Sequence, residues 1–213
     1  MARILITSGP TRQYLDPVRY LTNASSGRMG LALVEATLAL GHVPIVVSGP
    51  VDVEYPSSVD VRQVTATDEM LAAAQEAFAD CDGLIGAAAP CDYQPIKVAD
   101  NKINKTGRPL VLELVETADV VATLAADKGR RWAVGFALET EDQRLRALAK
   151  LERKCCDLMV LNGPAAMNSE DNTVEVIDPS GAVIGAFGGS KYLVAREILG
   201  IIDARLIRRP AAE

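Results

Sequence analysis

The chain predicts an α/β protein with three layers: a Rossmann-like, mostly parallel sheet between helices, closed by a C-terminal β-hairpin. Three observations lead there. Short apolar runs alternate with helix-patterned segments along most of the 213 residues. One run, Gly83 to Ala88, is continuously apolar, as in a strand buried on both faces. Near the end, two alternating stretches flank Asp178-Pro179-Ser180-Gly181, a type I turn signature, and so form a hairpin.

The elements follow in order. Arg3 to Thr7 is the first strand, and Arg28 to Leu40 the first helix, ended by Gly41. Val43 to Ser48 is the second strand, and Val59 to Val64 an alternating third. Thr67 reads as the cap of a helix over Asp68 to Ala79, with Met70, Leu71, Ala74 and Phe78 on one face. Strand Gly83 to Ala88 leads into a long polar connection, Ala89 to Pro109, and Leu110 to Leu114 reads as a short strand. Thr117 to Ala126 is a helix capped by Thr117, and Trp132 to Ala137 a strand. Thr140 caps a charged helix, Glu141 to Lys154, before the buried strand Asp157 to Leu161. Val174 to Ile177 and Ala182 to Phe187 are the hairpin strands, Lys191 to Leu206 closes the fold, and the tail from Arg208 to Glu213 frays.

Bulk properties narrow the function. A length of 213 residues, 49% of them hydrophobic, fits one domain over 1–213 with a full core. A net charge of −6 without a basic stripe argues against nucleic acid as a partner. No apolar run approaches the ~18 residues of a membrane span, and no signal peptide opens the chain. The four cysteines, none in a CxxC pair, read as reduced thiols of a cytoplasmic protein. The single histidine, His42, sits between Gly41 and Val43 in a helix-to-strand turn and reads as packing. Multi-histidine metal sites and histidine-based nucleophile systems drop out, leaving Lys, Asp, Asn and backbone donors to carry any chemistry.

The most informative stretch is Thr7 to Gly30. About twenty residues separate strand from helix, where ~2–6 are usual. The loop holds a Ser8-Gly9-Pro10-Thr11 turn and ends in Asn23-Ala24-Ser25-Ser26-Gly27 at a helix start. Free N–H groups and the helix dipole favour an anion there, phosphate above all. Capping by Ser25 or Ser26 is the plainer alternative, which accounts for one serine and not for the loop. In parallel sheets ligands sit beyond the carboxyl ends of the strands. Those ends supply Ala88-Ala89-Pro90-Cys91-Asp92, Gly135-Phe136-Ala137 and Asn162. Asp92 offers a carboxylate to a ribose hydroxyl or a metal, or else fills a turn. Lys102 and Lys105 lie on a second loop that either closes over a triphosphate or is a solvated basic turn. A dinucleotide fingerprint needs GxGxxG directly after the first strand, and here the spacing is wrong. Tyr192 is followed four residues on by Arg196, not by the Lys of a short-chain reductase pair, so hydride transfer is the weaker enzyme reading.

Taken together, these motifs resemble phosphopantothenoylcysteine synthetase, the ligase half of the bifunctional coenzyme A biosynthesis protein. The resemblance runs from Ser8-Gly9-Pro10-Thr11, Tyr14, Asp16-Pro17-Val18-Arg19, Asn23 and Ser25 to Gly30 through Ala88 to Tyr93 and Lys102-Ile103-Asn104-Lys105. It continues in Gly135 to Thr140, Asp157 to Asn162, Asn168 to Val174 and Ser190-Lys191. It implies a ligase that condenses 4′-phosphopantothenate with L-cysteine through an acyl-nucleotide, using CTP (or ATP) and Mg²⁺ carried by the triphosphate. It implies Asn23 on the acyl group and Lys102 in nucleotidyl transfer. Gly9, Pro10, Thr11, Ser25, Ser26, Gly27, Ala89, Asp92, Lys105 and Phe136 would serve nucleotide and phosphate, with Asp92 also a candidate metal ligand. It further implies a homodimer, with the late hairpin as a contributor to the contact. No flavin-dependent decarboxylase segment precedes the motif, so no flavin is expected. Gln94 stands where the family commonly has Arg, Cys91 where it has a small apolar residue, and Asn104 interrupts a Lys-rich tetrad. These departures touch local nucleotide contacts and are the support for a non-enzyme alternative, a binding module that lost turnover.

Overall fold

The computed structural model describes residues 1–138, 142–163 and 171–208. In chain order the strands are β1 Arg3–Ser8, β2 Arg12–Tyr14, β3 Tyr20–Thr22, β4 Val43–Ser48, β5 Asp60–Gln63 and β6 Gly83–Gly86, then β7 Tyr93–Pro95, β8 Leu114–Glu116, β9 Trp132–Leu138, β10 Leu158–Asn162, β11 Asp171–Ile177 and β12 Val183–Ser190. The helices are α1 Arg28–Ala39, α2 Thr67–Phe78, α3 Val120–Ala126, α4 Gln143–Arg153 and α5 Lys191–Ile202, which runs into a π-helical turn, Asp203–Ile207.

Eight strands form one sheet in the order β12-β11-β10-β9-β6-β1-β4-β5. Pairing is parallel from β5 through β10, and β11 then runs antiparallel to both β10 and β12. The order reverses between β1 and β6, which is the topological switch point where such sheets bind ligands. Alternation along β1 sends Ile4 and Ile6 to the layer of α1 and α5, and Leu5 to the layer of α2 and α3. All three are fully buried, each contributing ~1.5–3 kcal/mol relative to exposure. Gly83 leaves room for Trp132 on the neighbouring strand, since a Cβ there would lie 2.0 Å from the indole.

The predicted sheet and hairpin stand, with local corrections. The hairpin turn closes as expected, Gly181 N–H to Asp178 O at 2.9 Å, with Gly181 at φ +80. Thr67 is the first helical residue of α2 and not its cap; the Glu69 carboxylate instead accepts the Thr65 and Ala66 amides at 2.7 and 3.2 Å. The cap of α3 is Asp119, accepting Ala122 N–H at 3.0 Å, and not Thr117. The short strand expected over Leu110 to Leu114 is β8, further on, paired with β7. The first long loop is not irregular throughout, because β2 and β3 form a small hairpin within it. His42 packs as expected: its Nδ1 accepts the Ala2 N–H at 3.1 Å and its Nε2 donates to Asp203 at 3.2 Å. The expected Thr140 cap, the helix start at Glu141, the stretch 164–170 and the tail 209–213 lie outside the described residues.

Candidate functional site

β1 ends in a fully buried Ser8. The chain then turns at Gly9, φ +73, and an isolated parallel bridge from Pro10 to Ala89 carries the β1–β6 pairing past the sheet edge. After the β2–β3 hairpin the loop returns as a strap, Asn23 to Gly27, lying across the carboxyl end of β6. Its anchor is Asn23, whose side-chain N–H groups go to Pro90 O at 2.8 Å and Ala89 O at 3.4 Å. Those carbonyls only accept, so the amide orientation is fixed and the Asn23 Oδ1 is the atom left for a ligand.

Neither Ser25 nor Ser26 caps α1. The capping position is Gly27, in the left-handed region at φ +74, with no side-chain cap bond and no acidic residue in the first turn. The helix therefore presents its first amides and its positive end to solvent. Gly27 and Gly30 both permit this close approach. A Cβ on Gly30 would meet Ser8 Oγ at 1.9 Å, and one on Gly27 would meet Val51 at 2.6 Å. Behind them Tyr55 OH donates to Ser8 Oγ at 2.8 Å.

The strap separates two clefts. The first, about 470 Å³, runs from Asn23 to Met29 past Ala87 to Ala89, Asp92 and Phe136 to Lys150, Asn162, Asn172 and Lys191. The second, about 450 Å³, lies on the other side, with Pro10, Arg12, Thr22 and Pro50 to Val53. A third, about 540 Å³, opens from the first through Ala88, Asp92 and Phe136 towards Thr117 to Ala122 and Lys154. Asp92 and Phe136 thus stand at a junction, which suits residues expected to hold a nucleotide along its length.

Of the expected residues, the fold brings Asn23, Ser25, Ser26, Gly27, Ala89, Asp92 and Phe136 to the first cleft. Pro10 lines the second, and Gly9 shapes the turn beneath. Thr11 is buried, and its hydroxyl accepts the Cys91 N–H at 2.7 Å and bonds the Thr67 hydroxyl at 2.8 Å. Thr67 and Thr117 hydroxyls in turn donate to Cys91 O at 3.2 and 2.7 Å. Thr11 is therefore a girder under the site and not a ligand contact. Lys102 and Lys105 are exposed and line none of these clefts. Between them, however, the backbone of Ile103 is held. Its N–H goes to Asp16 Oδ2 at 3.0 Å, and its carbonyl accepts from the Arg19 guanidinium. Asp16 has no exposed surface, and Arg19 lies 2.6 Å from it.

The motif-based reading names Asn162 as a strand end and includes Arg28, Asn172 and Lys191 in its motifs without giving the last three a role; it misses Lys150, and with it the cationic end of the first cleft that Arg28, Lys150 and Lys191 line beside Asn162 and Asn172. Burial, and then the like charge of Arg28, hold the Lys191 ammonium below its usual range. Among the described residues, no group of three or more His, Cys, Asp or Glu side chains is placed to hold a metal.

The fold and its cleft make this a doubly wound α/β domain with a cleft at the switch point. The chain belongs to the DNA/pantothenate metabolism flavoprotein C-terminal domain family, whose sequence pattern matches residues 1–206. It is 40% identical over 185 residues to the coenzyme A biosynthesis bifunctional protein CoaBC of Vibrio vulnificus (strain YJ016), covering 84% of this chain and 46% of that protein. Against CoaBC of Bacillus subtilis (strain 168) identity is 37% over 206 residues, 94% of this chain and 51% of that protein. The chain spans about half the length of the curated relatives it matches. The crystal structure of the CoaBC C-terminal domain aligns with a TM-score of 0.81 at 37% identity, over 95% of this chain and 94% of that one. A Cab2 mutant in complex with phosphopantothenate-cysteine shares the fold, with a TM-score of 0.75 at 16% identity over 95% and 86% of the two chains.

Proposed function

We propose that this chain is a ligase joining 4′-phosphopantothenate to L-cysteine through an acyl-nucleotide, in coenzyme A biosynthesis. One observation carries the reading: the strap sets Asn23 directly beside the uncapped start of α1, at the switch point of the sheet. A carboxylate bound alongside the strap and a triphosphate on Ser25 to Gly27 would then be neighbours, with Asn23 Oδ1 facing the acyl group. The carboxylate oxygen attacks the α-phosphorus, the bond to the β-phosphate oxygen breaks, and diphosphate leaves with the electron pair. The cysteine amine next attacks the acyl carbon, loses a proton and expels the nucleoside monophosphate. Neither step requires histidine, only in-line positioning and cationic groups at the phosphates. Asn23 Oδ1, an acceptor, suits the incoming amine, while its N–H groups keep the strap in register. Lys102 acts from the flap anchored at Ile103, and Asp92 and Phe136 hold the nucleoside.

CTP is the preferred nucleotide by family resemblance, with ATP the alternative. Magnesium supplies charge neutralisation on the phosphates; Asp92 and the amide oxygens of Asn162 and Asn172 are oxygen donors of the right kind in the same cleft. The reaction uses no flavin. We also propose a cytoplasmic homodimer. The β7–β8 arm supports the dimer contact better than the late hairpin, since Ile96, Leu110 and Val111 are 62%, 56% and 84% exposed there. The deciding assay combines protein, phosphopantothenate, Mg²⁺ and CTP or ATP, with and without cysteine. Nucleotide-dependent pyrophosphate release is expected, and no release with either nucleotide from folded protein overturns the reading.

A further inference from the structure

Thr67 and Thr117 stand in sequence where helix caps belong, and the structure uses neither for that purpose. Their hydroxyls turn instead to the peptide just before Asp92. Cys91 N–H donates to Thr11 Oγ1 at 2.7 Å, and the Thr11 and Thr67 hydroxyls lie 2.8 Å apart. Cys91 O accepts from Thr67 Oγ1 at 3.2 Å and from Thr117 Oγ1 at 2.7 Å. Each hydroxyl has one proton, so the directions are fixed: Thr11 donates to Thr67, while Thr67 and Thr117 both donate to Cys91 O. Thr117 adds a second bond, from its N–H to Asp92 O at 2.9 Å. It therefore grips the carbonyls on both sides of the Asp92 Cα. Further back, Asn23 takes Ala89 O and Pro90 O, and Ala89 N–H reaches Gly9 O at 2.9 Å.

The Asp92 side chain has no such support. It is exposed, and its carboxylate makes no hydrogen bond or ion pair with a described residue. Backbone placement alone carries it to the junction of the first and third clefts. Thr117 lines the third cleft as well, so one residue joins that cleft's wall to the backbone of the acid. Misplacing a ligand-holding group by about 1 Å costs up to about 10²-fold. We infer that Thr117 is a positioning residue for nucleotide binding: its hydroxyl and its N–H set the backbone of Asp92, and through it the carboxylate that meets the nucleoside. This rests on the reading of Asp92 as a nucleoside contact in a nucleotide-dependent ligase and adds the group that holds it in place. A threonine that only stabilised the β8–α3 connection would act whether or not residue 92 carried a carboxylate.

The test is a double-mutant cycle on the whole chain, read by calorimetric binding of CTP and of ATP and by initial rates of pyrophosphate release. Thr117→Val keeps the shape and the N–H bond and removes only the hydroxyl. It should weaken nucleotide binding and raise the nucleotide KM by about fivefold to tenfold, with kcat within about twofold. Thr117→Ser should restore wild-type binding. In an Asp92→Ala background, Thr117→Val should add less than about twofold, because the group it positions is gone. If Thr117→Val does not fold, Thr117→Ala replaces it with the same expectation. Equal effects with and without the Asp92 carboxylate, or a fall in kcat at unchanged nucleotide affinity, overturn the inference. Turnover separates the two readings. Coupling between positions 117 and 92 in nucleotide binding, without pyrophosphate release, sinks the ligase and leaves the positioning role. Normal turnover with additive effects sinks the positioning role alone, and wild type that binds neither nucleotide overturns both.

Discussion

The Asp16 carboxylate accepts the backbone N–H of Ile103 at 3.0 Å, across 87 residues of sequence. It also accepts the amides of Val18 and Arg19, each at 2.8 Å. Leu15 O adds a bond from Ala99 N–H at 2.9 Å. The two long loops are therefore tied to each other, and the flap bearing Lys102 and Lys105 leaves from a fixed point. Asp16→Asn keeps the size and removes the charge that orders three amides and a guanidinium. Pyrophosphate release should fall by about ten- to a hundredfold through misplacement of Lys102, with faster amide exchange over 96–113 as the structural check.

The same carboxylate sets an acid limit. The Ile103 bond above all, joined by Val18 and Arg19 and opposed by burial, holds Asp16 well below the usual carboxylate range. A depressed folded-state pKa contributes stability that is complete above the unfolded value, ~3.9, and is lost as pH falls through the folded value. Melting temperature should decline below about pH 4, and Asp16→Asn should show a shallower decline, measured by thermal unfolding across that window.

Asn23→Ala removes both the bridge to Ala89 and Pro90 and the free Oδ1. Amide formation should slow by about 10²–10³, more than pyrophosphate release does, so acyl-nucleotide accumulates. Rapid-quench analysis of wild type and variant reads the difference directly; equal rates of both steps would remove Asn23 from the chemistry.

Lys102→Ala changes an exposed side chain, so stability should stay within ~0.5 kcal/mol while pyrophosphate release collapses. Retained release would reassign Lys102 to a solvated turn.

Gly30→Ala drives a methyl against Ser8 and its bond from Tyr55. Overpacking of this kind costs ~1–3 kcal/mol, and here it also shifts the start of α1, so denaturant midpoint and nucleotide affinity should fall together.

Much of this was legible in the residues because burial writes directly into composition. Gly83 to Gly86 and Leu158 to Leu161 are apolar throughout, since both faces are covered. The Ser25-Ser26-Gly27 helix start was legible because glycine and small polar residues mark exposed amides. Thr67 and Thr117 misled for the opposite reason: threonine before a helix is a good cap, and the tertiary pull of Thr11 and Cys91 O overrode that local preference. The β2–β3 and β7–β8 pairs are three residues a strand and largely exposed, too short for periodicity to register. Asn172 and Lys191 fall in stretches that carry the resemblance, but their place in the cleft was not legible because hairpin register, not spacing, sets it.

His42 joins Ala2 to Asp203, and Asp203 also takes the Arg208 side chain at 3.0 Å. Residues near the two ends of the described chain thus meet at one buried imidazole, at the amino end of β1, while the three clefts described above open at the carboxyl end. A short linker could join these two regions and the chain be cut elsewhere, giving a circular permutant with its cleft intact. Cargo attached at either region would hang from the pole opposite the three clefts.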